Sequence, residues 1–308
     1  MRAVVVEQWG GPENLVERET ERPEPGLNEV LVRVHAAGVN PVDWKTRAGG
    51  ALIEWGAVPA VGWDVSGTVE AVGPGVGLFR PGDEVFGMPL FPRQAGGYAE
   101  YVVAPARHLA SKPATLTHVE AAALPLAALT AWQALVDTAD VRPGERVLVH
   151  AAAGGVGHFA VQIAKARGAY VIGTASAAKH DLVRELGADE VIDYREARFE
   201  DVVTGVDVVL DGLGGETARR SLTVLREGGR LITLPGPDDV PADVPDGVRA
   251  VWVLVEPDHL GLREITALVE QGRLRPVIDT VLPLAEAAKA HELGERGRTT
   301  GKIVLTVA

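Results

Sequence analysis

Three closely spaced glycines occur in the segment Val147-Leu148-Val149-His150-Ala151-Ala152-Ala153-Gly154-Gly155-Val156-Gly157-His158. Gly154 and Gly157 occupy the second and third glycines of the pattern Gly-x-Gly-x-x-Gly, and Ala152 replaces the first. Small residues allow close approach of the backbone to a pyrophosphate, whose oxygens are bound by N–H groups at a helix N-terminus. An apolar run precedes this turn and a helical pattern follows it. The segment therefore predicts a dinucleotide site. A tight turn without a ligand is the alternative.

The residues after the next apolar run bear on which dinucleotide is bound. That run ends at Thr174 and continues as Ala175-Ser176-Ala177-Ala178-Lys179. A site for NAD normally has Asp or Glu at this place to hold the ribose 2′-hydroxyl. The segment has no acid, and Ser176 and Lys179 can bind a 2′-phosphate. This predicts NADPH. The alternative makes Ser176 a helix N-cap and Lys179 a solvated lysine.

Alternating strand and helix patterns from residue 146 to 255 would position these residues. The expected strands are Val147–His150, Tyr170–Gly173, Val191–Asp193, Val206–Leu210, Leu231–Leu234 and Val251–Val255. The expected helices are His158–Arg167, Ala177–Leu186 and Glu216–Arg226. Apolar strands separated by amphipathic helices are typical of a parallel, doubly wound α/β sheet.

The flanking regions have a different pattern. The first third contains short alternating runs such as 29–36, separated by Gly and Pro turns, which predict a small antiparallel barrel or sandwich. Thr117 and Glu120 form a capping box that opens a helix, and Pro125 should kink or split it. The final strand, Lys302–Val307, resembles the first region. The expected division is 1–115 with 258–308 as one domain and 116–257 as an inserted dinucleotide-binding domain.

Composition excludes several classes of function. The 308 residues include no Cys, and 30 Lys+Arg against 42 Asp+Glu give a net charge of −12. Disulfides, thiol nucleophiles and cysteine-bound zinc are therefore excluded, and an acidic chain without a basic block argues against nucleic-acid binding. No segment has the length of a signal peptide or a membrane span, so a cytoplasmic protein is expected.

Several spaced motifs resemble one superfamily along essentially the whole chain. They are Ala36-Ala37-Gly38-Val39-Asn40-Pro41-Val42-Asp43-Trp44-Lys45, Gly62-Trp63-Asp64-Val65-Ser66-Gly67, Phe79-Arg80-Pro81-Gly82-Asp83-Glu84-Val85-Phe86-Gly87, Leu186–Tyr194 and Gly301–Leu305. Together they resemble the medium-chain dehydrogenase/reductase superfamily. The Asn-Pro-Val-Asp-Trp-Lys segment is similar to its zinc-free quinone oxidoreductases and NADPH-dependent enone (alkenal) reductases. The resemblance implies a Rossmann sheet inserted in a GroES-like β-barrel domain.

The resemblance also bears on metal binding. In the zinc alcohol dehydrogenases of this superfamily, Cys, His and Cys hold the catalytic metal, and the matching positions here are Asn40, Trp63 and Leu126. None of these is a suitable zinc ligand. The eight His residues show no paired metal spacing either, so no metal site is predicted.

A nicotinamide without a metal favours hydride delivery to an acceptor that is already electrophilic, a quinone or an α,β-unsaturated carbonyl. The candidates for stabilising the developing oxyanion are Lys45 and the side-chain amide of Asn40. Lys45 can also return a proton. The alternatives for Lys45 are pairing with Asp43 or binding the cofactor ribose.

Further cofactor contacts are implied by the resemblance and by position at strand ends. Asn40 and Thr130 are expected near the nicotinamide, and Tyr194 beside the 2′-phosphate. The other expected contacts are Gly212, Leu213, Leu234, Pro235, Gly236, Trp252 and Lys302, with Arg298 also able to reach the cofactor. Four aromatic residues are candidates for shaping an acceptor pocket, although core packing is the simpler role for each: Trp44, Trp55, Trp63 and Tyr98.

The leading hypothesis is therefore an NADPH-dependent reductase of quinones or enones. An enoyl reductase acting on carrier-bound acyl chains is a second hypothesis, and a catalytically idle NADPH-binding or crystallin-like protein is a third. The resemblance also implies a homodimer that pairs the edge strand Val251–Val255 across a two-fold axis.

Overall fold

The computed structural model describes residues 1–49 and 60–307, which belong to two compact units. Unit 1 comprises Met1–Leu129, Glu256–Gly272 and Pro276–Ala308, and unit 2 comprises Thr130–Val255 and Arg273–Arg275.

Unit 1 is built mainly from strands. Its strands are β1 (Arg2–Val6), β2 (Leu15–Glu19), β3 (Glu29–Val39), β4 (Asp64–Val72), β5 (Glu84–Gly87), β6 (Tyr101–Pro105), β7 (Leu109–Ser111), β14 (Ile278–Pro283) and β15 (Lys302–Thr306). Its helices are α1 (Pro41–Gly49), α2 (His118–Ala122), the start of α3 (Pro125–Trp132), α8 (His259–Glu270) and α9 (Ala287–Glu295). The remaining strands, β8 to β13, and the helices α4 to α7 lie in unit 2.

Strand β3 organises the sheet of unit 1. It pairs antiparallel with β4 and also with both β6 and β15, in a sheet whose order is β14-β15-β3-β4-β5-β7. Val30, Val32 and Val34 of β3 are fully buried, as the alternating sequence pattern predicts. Because β15 pairs with residues 36–39, the end of the chain lies beside Asn40.

Unit 2 contains six parallel strands and the helices between them. In chain order they are β8 (Arg146–Val149), α4 (Gly157–Ala166), β9 (Tyr170–Ala175), α5 (His180–Glu185), β10 (Glu190–Asp193), α6 (Phe199–Val202), β11 (Val206–Asp211), α7 (Gly215–Ser221), β12 (Leu225–Thr233) and β13 (Arg249–Trp252). The sheet order is β10-β9-β8-β11-β12-β13. Counted from β8, this is the 3-2-1-4-5-6 order of the Rossmann fold, in which strand order reverses between β8 and β11. The predicted parallel, doubly wound sheet is confirmed.

The capped helix near residue 117 forms as the sequence predicts. Thr117 accepts a hydrogen bond from the Glu120 N–H, and the Glu120 carboxylate accepts one from the Thr117 N–H. The helix is split, and α3 begins at Pro125, because proline lacks the N–H that a continuous helix would need. Helix α2 packs on β3 and β4 and therefore belongs to unit 1, so unit 2 begins at Thr130 instead of the expected residue 116.

Several element boundaries were predicted wrongly. The helix expected over Glu216–Arg226 ends at Ser221, because Leu225 and Arg226 already belong to β12. Helix α1, which follows Asn40, was not predicted, nor were β14 and α9 near the end of the chain. Short elements next to turns carry too few residues for periodicity to reveal them.

Candidate functional site

The glycine turn after β8 is sterically restricted. A Cβ on Gly157 would lie 2.2 Å from the carbonyl oxygen of Ala151, a contact that no residue larger than glycine can make without moving the backbone. A Cβ on Gly154 would lie 3.1 Å from the same oxygen. The predicted close packing of the turn against the strand end is therefore present at Gly157.

The same turn presents donors at the start of a helix. The N–H groups of Gly155 and Val156 donate no hydrogen bond among the described residues, whereas the Gly154 N–H is bound to the Ala151 carbonyl at 2.8 Å. Helix α4 begins immediately afterwards and has ten residues. Free N–H groups at the positive end of a helix, at the reversal point of a parallel sheet, suit a pyrophosphate. These residues fit a dinucleotide.

A buried histidine that the sequence analysis did not single out supports this turn. His150 is 3% exposed, and its Nδ1 lies 3.2 Å from Thr174 Oγ1, which accepts a hydrogen bond from the Ala151 N–H. Ser221 Oγ donates to the Thr217 carbonyl, so the Nε2–H of His150 donates to Ser221 Oγ at 3.0 Å. Burial lowers the pKa of His150 to about 4, which keeps the ring neutral at pH 7.

The end of β9 has an acidic neighbour on the adjacent strand. Asp193, the last residue of β10, lies beside Ala175 in the parallel pairing. Its Oδ2 accepts a hydrogen bond from the Ala177 N–H at 2.9 Å. The segment after β9 itself has no acid, as its sequence shows, but the adjacent strand places a carboxylate beside it. Ser176 is 8% exposed, and its side chain forms no N-cap hydrogen bond.

Most of the other predicted cofactor residues of unit 2 lie at or next to strand ends, whereas Thr130 lies on helix α3. Leu213 and Tyr194 are exposed, by 57% and 58%. The turn after β11 is held by Asp211, whose carboxylate accepts hydrogen bonds from the Leu213 and Gly214 N–H groups. Trp252 donates its indole N–H to the Leu234 carbonyl at 3.2 Å, which connects the ends of β12 and β13. The remaining predicted residues here also lie in this unit: Thr130, Ala153, Lys179, Gly212, Pro235 and Gly236.

In unit 1, Asn40 and Lys302 meet in the interior. The Lys302 ammonium donates to the Asn40 side-chain oxygen and, at 3.0 Å, to the Val39 carbonyl. The Asn40 amide donates to Asp64 Oδ2 at 2.8 Å. The three side chains are at most 3% exposed. Burial lowers the pKa of Lys302 and raises that of Asp64, while their mutual attraction opposes both changes.

A second buried chain of hydrogen bonds holds Asn40 from its backbone. Asp43 Oδ2 accepts from the Asn40 N–H at 2.6 Å and from the Tyr98 hydroxyl at 3.0 Å. His291 Nε2 lies 3.3 Å from the Tyr98 hydroxyl, and its Nδ1 faces the Arg47 guanidinium at 3.4 Å. Since Arg47 can only donate, His291 accepts at Nδ1 and donates from Nε2.

The chain of hydrogen bonds therefore has one direction. It runs from Arg47 through His291 and Tyr98 to the carboxylate of Asp43. Burial raises the pKa of Asp43 to about 7, and burial together with Asp43 raises that of Tyr98 well above its usual value. Burial and the adjacent Arg47 lower the pKa of His291 to about 3. Tyr98 thus remains a hydroxyl donor at neutral pH.

Lys45 lies on α1, on the exposed side of the helix. It forms no hydrogen bond or ion pair with the residues that the structure describes, and so it does not pair with Asp43. Trp63 and Tyr98 are fully buried, and Trp44 packs against the core of unit 1. These three aromatic residues have the core-packing role. Trp55 lies outside the described residues, and Arg298 is exposed.

The sequence did not predict that Asp43 and Asp64 bind Asn40, or that His291 contacts Tyr98. A signal was present for the two acids, since Asp43 and Asp64 are inside the motifs that carry the resemblance. The sequence contains no comparable signal for His291, because only folding brings a residue of α9 next to Tyr98.

The positions matched to zinc ligands do not fit a metal ion. Asn40 is already bound to Lys302 and Asp64, and Trp63 donates its indole N–H to the Arg93 carbonyl at 2.7 Å. Within residues 1–49 and 60–307, no group of three or more His, Cys, Asp or Glu side chains could hold a metal ion.

Two models of known protein families match this chain. Residues 26–114 match the family model described as "Alcohol dehydrogenase GroES-like domain", and residues 186–305 match the one described as "Zinc-binding dehydrogenase". The first match confirms the expected GroES-like character of unit 1. The words "Zinc-binding" describe that family, whereas Asn40 and Trp63 of this chain stand where its zinc relatives have metal ligands and are engaged in other hydrogen bonds.

Curated relatives match over almost the full length. The chain is 37% identical to the quinone oxidoreductase of Mus musculus, over 99% of this chain and 97% of that protein. It is 35% identical to the mitochondrial NAD(P)H oxidoreductase RTN4IP1 of Danio rerio, over 91% of this chain and 84% of that protein. Because one relative is mitochondrial, cytoplasmic location stays a prediction. No described helix is long and apolar enough to cross a membrane.

Solved structures show the same similarity. The quinone oxidoreductase of Coxiella burnetii has a TM-score of 0.91 and 37% identity, covering 100% of this chain and 99% of that one. A mycobacterial protein in complex with NADPH has a TM-score of 0.89 and 34% identity. An NAD-dependent alcohol dehydrogenase has a TM-score of 0.91 and 39% identity. Each of the latter two matches covers 100% of both chains. The relatives thus use both types of nicotinamide cofactor.

Proposed function

The chain belongs to the quinone oxidoreductase branch of the medium-chain dehydrogenase/reductase superfamily, and from this premise we propose that it is an NADPH-dependent, metal-free reductase. Its acceptors are quinones or α,β-unsaturated carbonyl compounds. The observation that carries the proposal is the glycine turn of unit 2, where Gly157 allows the close approach to Ala151 and the N–H groups of Gly155 and Val156 donate to no described residue. This is the anion-binding element that a dinucleotide needs.

The residues of unit 1 support metal-free chemistry. Where zinc relatives have a thiolate, this chain has Asn40, whose amide connects a buried ammonium to a buried carboxylate. Asn40 is therefore not available as a metal ligand at this position, and we expect an acceptor that is already activated by its own conjugation. Quinones and enones meet that condition.

Lys45 is the side chain proposed to act on the acceptor. When bound, the reduced nicotinamide supplies the hydride. The Lys45 ammonium, which has no partner among the described residues, stabilises the oxygen on which negative charge develops and can return a proton to it. Asn40 orients this part of the chain, since α1 begins directly after it.

NADPH is preferred because Ser176 and Lys179 follow β9, where a 2′-phosphate would be received. Ser176 offers a hydroxyl and Lys179 a positive charge. The carboxylate of Asp193 lies beside the same segment, where it accepts a hydrogen bond from the Ala177 N–H.

The test follows NADPH absorbance with a panel of quinones, enones and enals for the wild type, Lys45→Met and Lys289→Met. Lys289 is a suitable control because it is also exposed and pairs with Glu286. We expect Lys45→Met to lower kcat by about 10- to 100-fold, the range for loss of one acid–base or oxyanion group. The affinity for NADPH should not change.

Two results would contradict the proposal. Tight NADPH binding without turnover of any acceptor would favour a binding protein. Equal turnover by Lys45→Met and the wild type would remove Lys45 from the mechanism.

A further inference from the structure

The carboxylate of Asp193 lies against the segment proposed to receive the 2′-phosphate. Its Oδ2 accepts a hydrogen bond from the Ala177 N–H, and Ala177 directly follows Ser176. Its Oδ1 accepts one from the Arg195 N–H, also at 2.9 Å. The residue between Asp193 and Arg195 is Tyr194, the other residue expected at the phosphate. Asp193 therefore contacts the residue after Ser176 and directly precedes Tyr194, two residues expected at the 2′-phosphate.

The charges around Asp193 are of both signs. Lys179 follows on the β9 side, His180 begins α5, and Arg195 follows in the β10 turn with its guanidinium 5.7 Å from the ring centre of Tyr194. The hydrogen bonds from the backbone lower the pKa of Asp193, so that it is ionised at neutral pH. Asp193 adds a negative charge to this group, whose two cations are Lys179 and Arg195.

We propose that Asp193 is a specificity-determining residue that weakens the preference for NADPH over NADH. The carboxylate repels a 2′-phosphate, and each of its oxygens has a second lone pair with which to accept a hydrogen bond from a ribose hydroxyl. An acid with this role is expected at the end of the second strand of a Rossmann sheet. Here the third strand supplies it, through the contact of Asp193 with Ala177. This inference rests on the proposed function, because it concerns the same dinucleotide site.

Asp193→Asn is the informative variant. It retains a side-chain oxygen that can accept one of the two backbone hydrogen bonds, and it removes the charge. Asp181→Asn is the matched control, since Asp181 is a fully exposed acid on the neighbouring helix α5 that pairs with Arg184, at 3.5 Å. Both variants remove one negative charge from the same region, but only one of them affects the carboxylate at Ala177.

The measurement is the dissociation constant of each protein for NADPH and for NADH, determined by fluorescence titration at low salt. We expect Asp193→Asn to bind NADPH more tightly and the ratio of the two constants to change by about 10-fold in favour of NADPH, a size consistent with one screened charge contact. Asp181→Asn should change the ratio by less than about 2-fold. At high salt the difference between Asp193→Asn and the wild type should shrink.

An unchanged ratio in Asp193→Asn, or equal changes in the two variants, would overturn the inference. Asp193→Ser also removes the charge while keeping a polar acceptor, and it must change the ratio of the two dissociation constants in the same direction. It replaces Asp193→Asn if that variant is poorly folded. Failure of the wild type to bind either dinucleotide would instead refute the proposed function, so the two failures are distinguishable.

Discussion

At the scale of single residues, the buried carboxylate of Asp43 is poorly satisfied. Its Oδ2 accepts two hydrogen bonds, while Oδ1 has no partner among the described residues. An ionised carboxylate in the interior needs donors, and each one that is missing destabilises the charged form. Burial, with a smaller contribution from the nearby Asp64, therefore raises the pKa of Asp43 to about 7 even though Asn40 and Tyr98 donate to it.

Removal of the Tyr98 hydroxyl should therefore destabilise the protein in a pH-dependent way. Without this donor, the folded-state pKa of Asp43 rises above about 7. Below that pH Asp43 is protonated in both proteins, whereas above it only the wild type retains the donor for the charged form. Tyr98→Phe should lose about 1–3 kcal/mol of unfolding free energy at pH 8.5 and less at pH 6.

Urea unfolding at the two pH values, monitored by circular dichroism, provides the check. A loss of stability that is the same at both values would mean that Tyr98 does not stabilise the ionised form of Asp43. Tyr101→Phe is the control, since Tyr101 is only partly buried and has no contact with Asp43.

His150 gives a second pH effect, of defined sign. Its folded-state pKa is about 4 against 6.5 for an ordinary histidine, so between these values the unfolded chain binds a proton that the folded chain does not. Stability therefore falls as pH decreases through this range. The contribution of His150 is about 2 kcal/mol between pH 7.5 and pH 5.

His150→Gln should show a correspondingly flatter dependence of unfolding free energy on pH, although it is less stable at pH 7.5. The control is the same substitution at His259, which is only partly buried. Parallel curves for His150→Gln and the wild type between pH 5 and 7.5 would show that the histidine is not held neutral.

At the scale of elements, the turn between β8 and α4 depends on Gly157. An added methyl group would lie 2.2 Å from the Ala151 carbonyl, which must then move together with the N–H groups that follow it. Gly157→Ala should weaken NADPH binding at least 10-fold and Gly154→Ala, at 3.1 Å from the same oxygen, considerably less. Calorimetric titration with NADPH compares the two variants. Equal affinities would show that the close approach at Gly157 is not needed for binding.

The elements of unit 2 were predictable from the sequence because their patterns are long and regular. Strand β11 is buried along its whole length, and its apolar run indicates a central parallel strand. The split at Pro125 and the cap at Thr117 follow equally from local chemistry. The short helix α1 and the strand β14 have no such signal.

The candidate site was only partly predictable for a related reason. Asn40 and the glycine turn have recognisable sequence contexts, but the bond between Lys302 and Asn40 joins residues 262 positions apart. Likewise, Asp193 reaches Ala177 only because β10 pairs with β9. Contacts of this kind follow from sheet register, which a single sequence does not specify for short strands.

At the scale of the whole molecule, β13 is one of the two edge strands of the unit 2 sheet, the other being β10. The Val253 N–H donates to β12, so by alternation the Ala250 N–H faces the open edge. We propose that this edge pairs with its copy in a homodimer. Light scattering should then give about twice the 32.4 kDa chain mass, and Ala250→Pro, which removes the outward N–H, should give a monomer with unchanged helix content. A monomeric wild type would refute the pairing.

The order of the strands along the chain has a consequence for protein synthesis. All six strands of the unit 2 sheet lie between Arg146 and Trp252, whereas β15, which pairs with β3 and carries Lys302, is synthesised after all of them. At about 5–20 residues per second, the ribosome releases a complete unit 2 sheet seconds before unit 1 can close. Until then the end of β3 has an unpaired edge and Asp64 lacks its cation. A nascent chain stalled before residue 302 therefore exposes a strand edge that chaperones can bind.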